Sequence, residues 1–452
     1  MSDSSREREI SKEAYREDAA PTQRRTSRYG DDWNLKMDPF GDESNAQVKY
    51  RTLTWWQTSL LMIAETVSLG ILSLPSVMAA IGMVPGLILL VTLGAAASYT
   101  GYVYGQFKAA YPHVANMADA GEVLMGAFGR EFVGTAQIFV LGSHLLTFTI
   151  AFNAITGHAT CTIVWGVVGL CAFFILSLPR TLKKVSYMSI ASFISIVGAV
   201  FITLIAVAIE KPGRTVDATV TTQFAPAFSS AMNICFAYAG HMAFFSFISE
   251  MKKPEDFPKA LAGLQISDIS LYIVTAVVIY TYAGPDVASP ALGSTTPVVK
   301  KVAYGIALPT IVIAGVIYAN VAAKQIYVRL FRGTRHIHES TWLSVGTWIG
   351  IVLSLWIIGW VIAESIPVFN DLNSLIVALF VSWFTYGLPG VFWLFINYGQ
   401  WFKNWKKAIL TIVNMLLVVL GAAICGIGLY ATGTAIHDDA GSGASWSCAD
   451  NS

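Results

Sequence analysis

Four ionisable side chains stand inside stretches that are otherwise apolar: Glu65, His241, Asp268 and Lys324. A charge at the centre of a membrane helix costs about 2.5 to 3.5 kcal/mol on insertion scales, so each of the four needs a reason to be there. Glu65 lies in Ala64-Glu65-Thr66-Val67-Ser68-Leu69-Gly70-Ile71-Leu72-Ser73-Leu74-Pro75, where Ser68 and Gly70 loosen a helix and Pro75 removes a backbone donor. His241 follows Phe236-Ala237-Tyr238-Ala239-Gly240 in a second apolar stretch. All four are candidates for carrying a proton, Glu65 first and His241 for its pKa range. Plainer readings compete: Glu65 caps backbone N–H groups, His241 donates to a carbonyl, and Asp268 and Lys324 pair with each other or snorkel to an aqueous edge.

The elements that hold these groups are membrane helices. Of the 452 residues, 55% are apolar and 13% charged, too greasy for a soluble domain of this length. Eleven apolar runs have spanning length, near 53–81, 84–107, 132–153, 160–178, 187–209, 227–249, 262–283, 302–328, 343–363, 373–397 and 408–432. None shows the alternation of a membrane barrel. The reading is an all-α integral membrane protein of eleven helices in the lipid bilayer.

The charges sit between the runs and are not pooled on one face, so no nucleic-acid partner is implied. With the N-terminus inside, fourteen basic residues fall in the inner loops (among them Lys108, Arg180, Lys252, Arg329 and Lys403), against Lys211, Arg214, Lys300 and Lys301 outside. That asymmetry puts the N-terminus in the cytoplasm and the C-terminus on the other side. Cys161, Cys171, Cys235 and Cys425 fall within apolar runs and only Cys448 in a polar tail, so no structural disulfide is expected. No cleavable signal peptide is read at the N-terminus.

The interrupted runs are the first and the sixth. If runs 1 to 5 and 6 to 10 are two halves, the breaks fall in corresponding places, the sequence pointer to the site of an inverted-repeat transporter. A helix that stops and restarts offers N–H groups to an anion and carbonyls to a cation. A zwitterionic amino acid presents both charges. Its carboxylate is expected near Leu69 and Gly70, and its ammonium near the carbonyls of Thr66, Val67, Phe236 and Ala237. Its side chain is expected toward Phe236, Tyr238, Phe244 and Phe245, where Ala237, Ala239 and Gly240 leave room. No acidic group is placed for a second positive charge, so the pocket reads as one for neutral substrates.

The core Ser68-Leu69-Gly70-Ile71-Leu72-Ser73-Leu74-Pro75, the Phe236-Ala237-Tyr238-Ala239-Gly240-His241 stretch, and Ile248-Ser249-Glu250-Met251-Lys252-Lys253-Pro254 with Phe257-Pro258-Lys259-Ala260 resemble the amino acid/auxin permease family, and within it the neutral amino acid permeases of filamentous fungi. The resemblance covers about residues 50–432. It implies a five-plus-five inverted repeat with discontinuous helices 1 and 6 (repeats about 53–209 and 227–397), an added eleventh helix at 408–432, and amino acid symport. It also implies that His144 and Asn320 lie on helices lining the site, although hydrogen bonds between helices would account for both. Sodium-coupled relatives carry Asn where this chain has Ala64 and Gly where it has Ser68. The resemblance thus favours protons as the coupling ion and needs no cofactor.

Ser189, Ser192 and Ser195 share one helix face, for a cation or for close packing, packing being the plainer account. Gly101-x-x-x-Gly105 and Gly346-x-x-x-Gly350 fit internal helix contacts. His336 and His338 lack further ligands at metal spacing, and no metal site, nucleophile–base set or paired acid marks an enzyme. Residues 1–50 read as a disordered cytoplasmic tail. Within it, Arg24-Arg25-Thr26-Ser27 suits a basophilic kinase acting on Ser27, and Lys12, Lys36 and Lys49 are reachable for a ubiquitin ligase. Residues 433–452 form a short outer tail. The expected function is import of neutral amino acids by proton symport at the plasma membrane. A vacuolar carrier and a nutrient receptor on a transporter scaffold are the alternatives.

Overall fold

The computed structural model describes residues 40, 43, 46–210, 216–366, 368–439 and 445–451. Ser27, Lys12 and Lys36 lie outside them. The first apolar run is split: α1 (Trp55–Thr66) stops, Val67 and Ser68 leave helical geometry, a 3-10 turn crosses Leu69–Ser73, and α2 (Leu74–Ile81) resumes with Pro75 in its first turn. The segments Trp55–Thr66 and Gly70–Ile81 bend by 45°. There follow α3 (Met83–Ala110), α4 (Met117–Thr156), α5 (Thr162–Leu176) and α6 (Leu182–Glu210).

The second series repeats the plan. Helix α7 (Phe224–Ala237) gives way to a turn and a 3-10 segment at His241–Ala243, and α8 (Phe244–Glu250) continues it. Then come α9 (Phe257–Ala283), α10 (Pro297–Phe331), α11 (Trp342–Ser365) and α12 (Phe369–Ile376). Helix α12 widens into π turns over Val377–Gly387 before α13 (Leu388–Ile396), and α14 (Trp405–Asp439) closes the bundle. Each of the eleven apolar runs is helical. Among the described residues nine helices are long and apolar enough to cross a membrane, or ten with the bent pair. Helix α5, at 15 residues, extends about 22 Å, less than a typical hydrocarbon core of about 30 Å.

Large apolar side chains such as Ile194, Ile209, Leu416 and Val419 point outward. In water such a surface would aggregate; in lipid it is the solvent-facing side. Helix α10 lies at the centre, packed along α6 and α4. The serine face of α6 makes the first of these contacts: Ser192 Oγ is 2.8 Å from Thr310 Oγ1, and Ser195 Oγ donates to the Ile306 carbonyl. Gly101 is likewise internal, since a Cβ there would meet Leu261 and Phe244. Gly346 and Gly350 instead have open space beside them, so the expected internal contact fails for that pair.

Two further expectations fail at the ends of the bundle. The last residues of the N-terminal segment are docked, not free. Val48 N–H donates to the His338 carbonyl at 3.0 Å, and the buried Tyr50 ring stacks on Phe40 at 4.6 Å. Cys161 and Cys448 form a disulfide. Cys161 is the N-cap of α5, not an interior position, and the C-terminal residues fold back over the same end of the bundle.

Candidate functional site at the paired helix breaks

The breaks in the first and sixth runs face each other. A Cβ placed on Gly70 would stand 3.3 Å from the Phe236 ring, and one on Gly240 2.6 Å from Thr66 Cγ2, so glycine is what lets the two interrupted chains approach. Neither glycine is required by its backbone angles: Gly240 has φ −86°. At the restart of the first run, Ser68 is an N-cap whose side chain makes no capping bond. The leading N–H groups are therefore not covered by a side chain from within the turn, as an anion site requires.

A cavity of 30 Å³ lies between the breaks, lined by Glu65, Thr66, Ser68, Gly70, Phe236 and Ala239 from the interrupted runs, and by Ser143, His144 and Thr147 from α4. Val140 of α4, Met242 of the second break, Tyr318 of α10, Phe369 and Ile376 of α12, and Val381 of the π turns complete it. Sites for small organic ligands usually measure about 300–1,000 Å³, so this one must widen to admit an amino acid. Both oxygens of Glu65 are buried here, with the Tyr318 hydroxyl as neighbour and no counter-charge beside them among the described residues. His144 packs beside the Tyr318 ring at 5.2 Å, and Tyr318 Oη donates to the Ala239 carbonyl at 2.8 Å.

Seven of the residues read from the sequence therefore line one cavity: Glu65, Thr66, Ser68, Gly70, Phe236, Ala239 and His144. The others do not. The Val67 carbonyl accepts from Thr310 Oγ1 at 3.5 Å and the Ala237 carbonyl from Tyr272 Oη at 2.7 Å. Leu69 lies in the 3-10 turn. Tyr238 turns from the cavity to pack on Tyr272 and reach the Leu90 carbonyl at 3.2 Å. His241 faces α3, its Nε2 2.9 Å from the Ala97 carbonyl and 3.0 Å from Thr100 Oγ1, so Nε2 carries the proton it donates to the carbonyl. Asn320 Nδ2 donates to the Pro179 carbonyl at 2.6 Å, near the end of the bundle.

Neither Asp268 nor Lys324 snorkels, and they do not pair with each other. Lys324 Nζ donates to Glu250 Oε1, both side chains being buried. Asp268 is fully buried, with the Thr66 hydroxyl beside its carboxyl and no counter-charge among the described residues. Snorkelling fails because α9 and α10 are packed on several sides, so their polar side chains have no free path along a lipid-facing surface.

Sequence reasoning missed Ser143, Thr147, Tyr318, Phe369 and Glu250. Ser143 and Thr147 are one turn apart, and a polar pair at that spacing in an apolar helix was the available signal. Asn320 was singled out by residue type. Two positions along a helix turn the side chain by about 200°, and it is Tyr318 that faces the site.

Interruptions in the first member of each of two five-helix series, converging on a small cavity that holds a buried carboxyl, define a secondary transporter of the inverted-repeat class. Solved structures agree on the fold. A Na+-coupled sialic acid symporter in a substrate-bound outward-open state superposes with a TM-score of 0.56 at 14% identity, covering 85% of this chain and 90% of its own. MhsT in complex with L-phenylalanine superposes with a TM-score of 0.51 at 14% identity, covering 85% of this chain and all of its own. The sequence is more specific: residues 51–434 match the model of the transmembrane amino acid transporter proteins, and the chain belongs to that family. The N amino acid transport system protein of Neurospora crassa is 36% identical over 410 residues, 87% of each chain. A transmembrane transporter of Gibberella moniliformis is 30% identical over 429 residues, covering 90% of this chain and 89% of that protein.

Proposed function

We propose that this protein imports neutral L-amino acids by proton symport with alternating access, and that Glu65 takes the proton. The observation that carries the reading is the position of Glu65: a buried carboxyl on the lining of the cavity, at the helix break, with no counter-charge beside it among the described residues and the Tyr318 hydroxyl as its neighbour. Such a group is costly to bury charged and cheap to bury neutral, so its charge changes when water enters and leaves the cavity. His241, the other candidate of comparable rank, is tied to α3 and acts as a brace for the second break. Asp268 is the reserve candidate, being buried without a counter-charge like Glu65 but off the cavity lining; Lys324 is occupied by Glu250.

Two features support neutral substrates: among the described residues the lining carries one carboxyl, Glu65, and one imidazole, His144, and the remaining walls are apolar or hydroxylic. Ala64 and Ser68, where sodium-coupled relatives have Asn and Gly, support protons over sodium. The Cys161–Cys448 bond supports the orientation, because disulfides persist on the oxidising side of a membrane, here the face opposite the docked N-terminal residues. Plasma-membrane residence completes the reading, and the position of a tagged copy in cells tests it against the vacuole.

The test of transport is radiolabelled uptake of leucine, phenylalanine and other neutral amino acids, in acidic and neutral medium, with and without sodium. Uptake stimulated by acid, independent of sodium and lost in Glu65→Gln but not in His241→Ala is the expected result. Uptake that needs sodium, or that keeps its acid stimulation in Glu65→Gln, refutes the coupling assignment.

A further inference from the structure

The C-terminal residues are not a loose end. Trp446 N–H donates to the Glu364 carbonyl at 3.2 Å and its ring meets Trp360 at 5.4 Å. Thr162 Oγ1 donates to the Ala449 carbonyl at 2.6 Å, Asn153 Nδ2 to Asn451 Oδ1 at 2.8 Å, and Asn451 Nδ2 to Thr149 Oγ1 at 3.2 Å. Every one of these partners belongs to α4, α5 or α11, and Cys448 is bonded to Cys161 at the start of α5. The helix that carries the segment, α14, packs instead on the π turns, α13 and α7. The segment thus ties the C-terminal side of the bundle to α4, α5 and α11 covalently and by hydrogen bonds, beside the direct contact of α4 with α12 through Ser143 Oγ and Asn373 Oδ1 at 2.6 Å.

Against it lies a second cavity of 220 Å³, whose lining includes Trp446, Ser447, Ala449 and Asn451 of the segment together with Ser289 and Asn370. Phe369 lines both this cavity and the one at the helix breaks. From the helix breaks toward this end of the bundle, the order is therefore inner cavity, Phe369, outer cavity, C-terminal segment.

We propose that residues 445–451 form a strap across the outer mouth of the transport path, and that the Cys161–Cys448 bond sets how far the strap can lift. The proposal rests on the transporter reading above. Hydrogen bonds to α4, α5 and α11 break and re-form as the mouth opens, whereas the covalent bond keeps the strap within reach of its seat. With the bond intact, access from outside is restricted; with it cut, the strap swings clear and the outer cavity is open to solvent.

The test reads access directly. Ala363, buried on the wall of the outer cavity, is changed to Cys in three backgrounds: the full chain, the chain with Cys161→Ser and Cys448→Ser, and the chain lacking residues 445–452. The reaction of intact cells with a charged, membrane-impermeant methanethiosulfonate is followed, after subtraction of the same backgrounds without Ala363→Cys. Labelling about tenfold faster in the second and third backgrounds than in the first is expected, the signature of a local opening made easier. Equal rates in all three overturn the strap, and a rise confined to the truncated chain overturns the role assigned to the disulfide.

A second arm avoids variants that fail to fold. An impermeant phosphine added to cells already carrying the wild-type protein reduces the bond: phosphorus attacks one sulfur and breaks the S–S bond, and water then supplies the oxygen of the phosphine oxide and the protons of the two thiols. Uptake that then changes in the wild type, but not in the double serine variant, supports the proposal, and uptake unchanged in both opposes it. Labelling rates that differ as expected while no amino acid enters under any condition would separate failure of the transport reading from failure of the strap.

Discussion

Lys324 and Glu250 should behave as one unit. Lys324 Nζ donates to Glu250 Oε1, and Glu250 Oε2 accepts from the Leu182 N–H at 3.1 Å, so the pair ties α10 and α8 to the start of α6. Both side chains are buried, at 5% and 0% exposure, which removes the solvent screening that makes surface pairs weak. Lys324→Met leaves the carboxylate with one backbone donor and no counter-charge, and the expected cost is about 3–5 kcal/mol. Glu250→Gln keeps an acceptor for Leu182 but strands the ammonium, at a similar cost. Putting both changes in one chain removes the charges together, and the cost falls close to zero. The coupling energy of the double-mutant cycle is then about 6 kcal/mol or more, the sum of the two single losses, against the few tenths found for independent sites. The assay is equilibrium unfolding in mixed micelles, titrated with a denaturing detergent and read by tryptophan fluorescence. Single variants that each lose less than about 1 kcal/mol, or a double variant that loses the sum of the two, would refute the reasoning.

Two smaller tests follow from other contacts. Gly240→Ala drives a methyl group to 2.6 Å from Thr66 Cγ2, an overpacking expected to cost about 1–3 kcal/mol and to lower uptake; Thr66→Ser removes that methyl and should restore much of both, measured by unfolding and transport side by side. His113 lies between α3 and α4, where burial first, then the charges of Arg332 and Lys108, lower its pKa from 6.5 to about 4. The unfolded chain therefore binds the extra proton between those values, so the stability contributed by neutral His113 is full above pH 6.5 and is lost as pH falls toward 4. His113→Gln should flatten that part of the profile of thermal inactivation against pH, and an unchanged profile would discount the histidine.

The membrane makes much of this fold readable, because lipid fixes the length of each crossing and admits backbone that is not helical only where protein surrounds it. Gly70 and Pro75 in one run, and Gly240 in another, were enough to locate the breaks, and Glu65 stood out because its charge has no cheap place there. What escaped was pairing across the chain. Nothing near Lys324 names Glu250 as its partner, 74 positions away, and the composition around Cys161 suggests a buried thiol where the structure has a helix cap. Faces were also hard to choose: both Tyr318 and Asn320 are polar groups in an apolar helix, and only the packing of α10 against α4 and the first break decides which one reaches the cavity.

The bond between Cys161 and Cys448 is also a statement about parity. Two sulfurs can join only if they emerge on the same side of the bilayer, so the chain between them must cross an even number of times. Among the described residues, seven of the long apolar helices lie in that interval, with α7 and α8 counted as one crossing. Seven would leave the two cysteines on opposite sides. The eighth crossing can only be α5, the 15-residue helix that by length alone falls short of a span. The bilayer beside α5 must therefore thin, or its flanking residues must reach outward, to accommodate it.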